Sequence, residues 1–207
     1  MQQCCIKLYI CRTENKSNMK KVIRNASLVL VLGSFLACSD SEPDTPVIPN
    51  EEELITTLKW QLVSLDAMDT LNFIFRDLDG DGGADPTLVT PDLKANTSYT
   101  AELQLLNELE NPFEDITIEV LEEAEQHQFF FESTVADLSV SYADLDINSK
   151  PIGILSKVRT ADTASGVTII TLRHLPDKFA AGVSDGSLAN AGGETDISVS
   201  FTMNVKP

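Results

Sequence analysis

The chain has 207 residues and carries 32 acidic against 15 basic side chains, a formal net charge of −17. That length holds one ordinary domain or two very small ones, and so acidic a surface repels phosphate backbones, which excludes nucleic acid from the expected partners. All four cysteines lie at or before position 38, so no disulfide is expected after it.

The first recognisable element begins at Met19, "MKKVIRNASLVLVLGSFLACSD". Lys20, Lys21 and Arg24 form a basic flank, and Ala26 to Ala37 is an uncharged, mostly apolar run. The run is too short to cross a bilayer, which takes about 20 residues, but it suits the apolar region of a signal peptide. Small Ala37 precedes Cys38, and polar Ser39-Asp40 follows. This order resembles the lipobox of bacterial lipoproteins, with Phe35 where that family usually has leucine. The resemblance implies cleavage before Cys38, lipidation of its sulfur and a cell-envelope location. Ser39 resembles the outer-membrane sorting residue of that class, which implies an outer membrane lipoprotein facing the periplasm or the cell surface.

A complete signal starting at Met19 makes residues 1–18 surplus, so they are expected to be a gene-model extension. Once Met1 to Ala37 is removed, 9 basic residues face 31 acidic ones, a net charge of −22 over 170 residues. Such a chain is also repelled by anionic head groups, so membrane attachment is expected to depend on acyl chains alone.

Ser39 to Asn50, "SDSEPDTPVIPN", is acidic, with prolines at 43, 46 and 49. It shows no apolar periodicity, and its prolines favour an extended form. Together with Cys38 it is expected to be a tether, about 35 Å long at roughly 3 Å per residue. The folded domain is expected to span 51–207.

From Glu51 onward the dominant period is two, the signature of strands with one buried face. Leu58, Trp60 and Leu62 begin it, followed by Leu71, Phe73 and Phe75, then Tyr99, Ala101, Leu103 and Leu105. Ile116, Ile118 and Val120 alternate likewise, and "EVLEEAEQ" behind them is the one helical candidate, of about two turns. "HQFFFES" and "GVTIITLRH" are apolar on both faces in part, which predicts central strands. Leu138, Val140 and Tyr142 lie between them, and Ile197, Val199, Phe201, Met203 and Val205 close the series. About eight strands separated by Gly-, Asn- and Pro-rich turns predict a mainly β fold, an antiparallel β-sandwich of immunoglobulin-like or jelly-roll-like type.

One turn stands out chemically. "FRDLDGDGGADP" places Asp77, Asp79 and Asp81 at alternate positions, followed by Gly82, Gly83 and Asp85. Calcium takes six to eight oxygens, so carboxylates must converge on one point, and glycines allow the necessary curl. The predicted ligands are Asp77, Asp79, Asp81, the Gly83 carbonyl and Asp85. Leu88 stands where an EF-hand needs glutamate, and the flanks are strand-like, so the loop is not an EF-hand. It resembles the calcium loops set between strands in extracellular repeat proteins. The competing reading is a glycine-rich hairpin whose aspartates only stabilise the turn.

Other motifs carry less. "YADLDINSKPIG", with Asp144, Asp146 and Asn148, reads as a turn. His127 and His174, with nearby carboxylates, could hold zinc, but their spacing matches no ligand pattern, and each is read as packed or surface histidine. "GVSDG" matches G-x-S-x-G around Ser184, but loop surrounds it and both histidines precede it, against the order that motif requires. The glutamates from Glu119 to Glu125 read as a solvated face, and Trp60 as core. No catalytic set emerges, so no enzymatic activity is expected.

"FRDLDGDG", "EEAEQHQFFF", "LRHLPDK" and "AGGETDISVSF" together resemble a family of small Gram-negative envelope lipoproteins of unassigned role, over most of the mature chain. Members often carry the label of a type 1 periplasmic binding fold. Proteins of that binding fold have two α/β lobes of about 100–150 residues each. The residue pattern here sets the expectation of mostly β-structure. The expected function is a lipid-anchored, calcium-supported β-sandwich with a structural or partner-binding role, its partner a protein or glycan. The alternative implied by the label is a solute- or glycan-binding module.

Overall fold

The computed structural model describes residues 54–66, 68–80 and 82–207. The expected gene-model extension, the expected signal peptide with Cys38, the expected tether, and Asp81 lie outside the described residues.

In chain order the elements are β1 (Thr57–Ser64), β2 (Thr70–Arg76), β3 (Thr87–Val89), β4 (Leu93–Lys94), β5 (Ser98–Asn107), β6 (Glu114–Asp115) and α1 (Ile116–Glu122). They continue with β7 (His127–Ser133), β8 (Ser139–Tyr142), β9 (Leu155–Arg159), β10 (Ala164–His174), two 3-10 turns at Val183–Asp185 and Leu188–Asn190, and β11 (Glu194–Lys206). One sheet runs β3-β2-β1-β5-β9-β8, with β6 also on β5. The other runs β4-β11-β10-β7. All pairs are antiparallel except β4 with β11. The fold is a β-sandwich.

Alternation explains the core. Leu58, Trp60 and Leu62 of β1, Phe73 of β2 and Tyr99, Ala101, Leu103 and Leu105 of β5 are buried on one side. Phe129, Ile170, Leu172, Val199, Phe201, Met203 and Val205 are buried on the other. Rings lock the layers together: Phe73 meets Phe201 edge-on at 5.7 Å, and Trp60 lies 5.9 Å from Phe131. A fully buried aromatic or branched side chain contributes about 1.5–3 kcal/mol, so this face outweighs any single polar contact.

Three sequence expectations are corrected. Ile116, Ile118 and Val120 do not form a strand. Asp115 caps a helix by accepting the Thr117 amide at 3.1 Å, and Ile116 and Val120, one helical turn apart, are buried while Ile118 is 58% exposed. The two buried positions are four apart in the chain, a helical spacing that period-two reading absorbs.

Second, β7 is an edge strand. It is buried on both faces because Phe130 packs with Val183 and Ala191 beneath the segment before β11. Ile152 also covers its edge, accepting the Phe129 amide at 2.7 Å. Third, the described residues hold eleven strands, not about eight. β3, β4 and β6 have two or three residues each, too short to show alternation, and β9 alternates Ser156 and Val158 inward, a signal half polar.

Candidate functional site

The predicted calcium loop is the tip of the β2–β3 hairpin, whose register pairs Ile74 with Val89 and Arg76 with Thr87. Its aspartates shape the turn. Asp77 Oδ1 accepts the amides of Asp79 at 3.3 Å and Gly80 at 2.9 Å, and Asp79 Oδ2 accepts that of Ala84 at 2.9 Å. The Asp79 carboxylate lies so close over Gly83 that a Cβ there would run into it, which is why a glycine follows. The turn chemistry of the competing reading is therefore present, and it engages one oxygen of each of these carboxylates.

The nearest cation in sequence does not serve this loop. Arg76 donates through Nε at 2.9 Å and Nη2 at 2.6 Å to Glu108 Oε2, and Thr57 Oγ1 donates to Glu108 Oε1 at 2.7 Å. The Arg76 bonds, with help from Thr57, hold the Glu108 carboxyl below the usual range.

Beside the loop lies a cleft of about 480 Å3 that reaches across to the other sheet. Asp77, Asp79 and Gly80 line it from the hairpin. Ile55 and Phe75 form an apolar wall, and Asp196, Ile197 and Ser198 line it from β11. Asp196 is there because of a bulge. Leu172 pairs with Ile197, yet Arg173 pairs with Thr195, so Asp196 is the extra residue, and a bulge re-aims the side chain it carries. Sequence reading passes over Asp196, since strict alternation puts it on the solvent face with Ser198.

Behind Asp196 the structure brings the two histidines together. His127 and His174 are directly opposed partners of β7 and β10, which puts their side chains on one face of the sheet. Their rings stack at 4.6 Å with planes 22° apart, and both are buried. His127 Nδ1 lies 3.2 Å from the Glu123 carbonyl at the end of α1, and Nε2 lies 3.8 Å from Asp196 Oδ2. Burial pushes the His127 pKa down, and the Glu123 carbonyl bond only partly offsets it, so this imidazole is neutral at pH 7. Among the described residues, Glu123, His127 and His174 offer ligand atoms within 4.8 Å of one another. The loop aspartates do not form such a group among the described residues, and Asp85 stands exposed beyond Ala84.

The second acidic turn is structural, as expected. Asp144 accepts the amides of Gly153 at 2.8 Å and Leu155 at 2.7 Å, and Asp146 Oδ1 accepts those of Asn148 at 2.8 Å and Lys150 at 2.9 Å. Ser184 sits in a 3-10 turn, and its hydroxyl donates to the Lys178 carbonyl at 2.8 Å.

No protein-family model matches the chain, and no curated protein and no solved structure is similar to it at a significant level.

Proposed function

We propose that the mature chain is an exported, lipid-anchored β-sandwich with a structural or partner-binding role at the cell envelope, and that calcium ties its β2–β3 loop to the sandwich. The observation that carries this reading is the cleft, which has Asp77 and Asp79 on one wall and Asp196 on the other. With Leu88 in place of the bidentate glutamate of an EF-hand loop, this loop needs further oxygens to reach the six to eight that calcium takes. Here Asp196 of the opposite sheet borders the same space, its side chain 4% exposed, while Arg76 is engaged by Glu108.

Calcium at tenfold excess over its dissociation constant stabilises by about 1.4 kcal/mol, which raises Tm by roughly 3–6 °C for a domain of this size. Thermal melts in millimolar calcium and in chelator are the test. The shift is expected in the native protein and is lost in Asp79→Asn, a variant that still accepts the Ala84 amide. An unchanged native melt overturns the reading.

The size of the cleft and its apolar wall of Ile55 and Phe75 favour a second reading, a solute- or glycan-binding module, since small-molecule sites span about 300–1,000 Å3. A sugar or small solute that raises Tm in the presence of chelator would select it.

A further inference from the structure

We infer that Glu123, His127, His174 and Asp196 form a site for a divalent first-row transition cation of the zinc class. The site goes beyond the calcium reading: it uses different chemistry and three residues that the loop reading does not involve.

Three elements bring ligand atoms of Glu123, His127 and His174 within 4.8 Å of one another, and a fourth brings Asp196 to His127. β7 and β10 contribute the imidazoles as a cross-strand pair, so the register of the sheet holds them together. The end of α1 contributes Glu123, which is half-buried, and the β11 bulge contributes Asp196, whose side chain is 4% exposed. Two imidazoles with one or two carboxylates is a donor set that zinc, copper and nickel accept readily and calcium does not, since calcium takes oxygens.

The distances fit a site one step from closure. Zinc holds nitrogen and oxygen ligands at about 2.0–2.2 Å, and a tetrahedral angle then separates neighbouring ligand atoms by about 3.3–3.5 Å. His127 Nε2 and Asp196 Oδ2 are 3.8 Å apart, longer than a hydrogen bond and close to that separation. Ligand atoms of Glu123 and the two histidines lie within 4.8 Å of one another, so closure draws them in by about an ångström. The metal must also lie near the plane of each ring it binds. Rings stacked within 22° of parallel therefore have to turn apart on binding. Entry is provided by the cleft, which Asp196 lines.

The test uses the full-length protein after chelator treatment, titrated with Zn2+ alone by calorimetry and with Co2+ alone by visible absorption, in calcium-free buffer, since both readings draw on Asp196. One metal per chain is expected, with a cobalt band of tetrahedral type. His174→Ala is expected to weaken binding at least 100-fold. Glu123→Gln, at the most exposed ligand and therefore least disturbing to the fold, is expected to weaken it about tenfold. Asp79→Asn is expected to leave zinc binding unchanged while removing the calcium-dependent rise in Tm, so the two sites fail separately. Absence of Zn2+ and Co2+ uptake by the native protein overturns the inference. So does uptake that survives both His174→Ala and Glu123→Gln in variants with native circular dichroism.

Discussion

Lys178 carries its ammonium group to a position where the side chain is 3% exposed. It donates to the Ala124 carbonyl at 2.5 Å and to Asp146 Oδ2 at 3.0 Å. Burial pushes the Lys178 pKa down, and Asp146 offsets part of that. Burial raises the Asp146 pKa, but the bonds from the Lys150 amide, Lys178 and the Asn148 amide outweigh it and hold the carboxyl below its ordinary value. One carboxylate thus shapes a turn and anchors a lysine from a distant loop. Breaking a buried pair on one side costs about 3–5 kcal/mol, because the surviving charge has no counter-charge. Lys178→Met and Asp146→Asn are each expected to lower unfolding free energy by that amount in urea titration, and the double variant by less than their sum. The pH dependence follows from the depressed Asp146 pKa. Its contribution is complete above the unfolded value near 3.9 and is lost as pH falls through the lower folded value. Asp146→Asn should flatten that acid limb, and an unaltered limb would place the charge coupling elsewhere. Nothing in "LRHLPDK" signals this pair, since lysine in a polar loop reads as solvated.

At the scale of elements, the β10–β11 connection holds the histidine pair in place. Gly192 and Gly193 both have positive φ, 60° and 67°, yet only Gly193 is crowded. A Cβ there would collide with the His174 carbonyl and the Leu175 backbone, whereas Gly192 faces open space. Arg173 clamps the turn by donating to the carbonyls of Gly192 and Gly193 and to Thr195 Oγ1. Gly192→Ala is expected to cost about 1 kcal/mol for the left-handed backbone alone. Gly193→Ala carries that cost plus displacement of the β10 end, roughly 3 kcal/mol or more. Urea midpoints that put the two variants level would show that the close approach is not a constraint. "NAGGE" identifies a turn in the sequence, but not which glycine the fold depends on. In the same way, the sequence between Glu114 and Glu125 carries enough apolar residues for either period. Asp115 as a cap and the burial of Ile116 and Val120 decide for a helix.

The whole molecule has a charge problem with a testable consequence. The proposed mature chain carries a net charge of −22, so no electrostatic attraction assists its attachment to anionic lipid, and one acyl chain alone binds only marginally. The membrane-bound protein is therefore expected to begin at Cys38 and to carry more than one acyl chain by intact-mass analysis. It should stay in the membrane fraction through a high-salt wash. Cys38→Ala is expected to abolish lipid labelling and release the protein to the soluble fraction. An unmodified, uncleaved chain recovered from the cytosol would remove the anchor from the proposed function. Calcium, if bound in the cleft, acts at the same scale, since Asp77 and Asp79 belong to one sheet and Asp196 to the other.

Composition and period alone determined the mainly β character, the one-sided strands of Leu58–Leu62, Tyr99–Leu105 and Ile197–Val205, and the acidic hairpin tip. Each of these is a local property: side chains alternate every second residue whatever the strand pairs with. Tertiary structure decided the rest. It put β7 at an edge and buried both its faces, turned Asp196 inward through a bulge, opposed His127 to His174 and joined Lys178 to Asp146. These depend on register and on contacts between segments far apart in the chain, and a one-residue change in register turns a side chain from solvent to core without altering the sequence that is read.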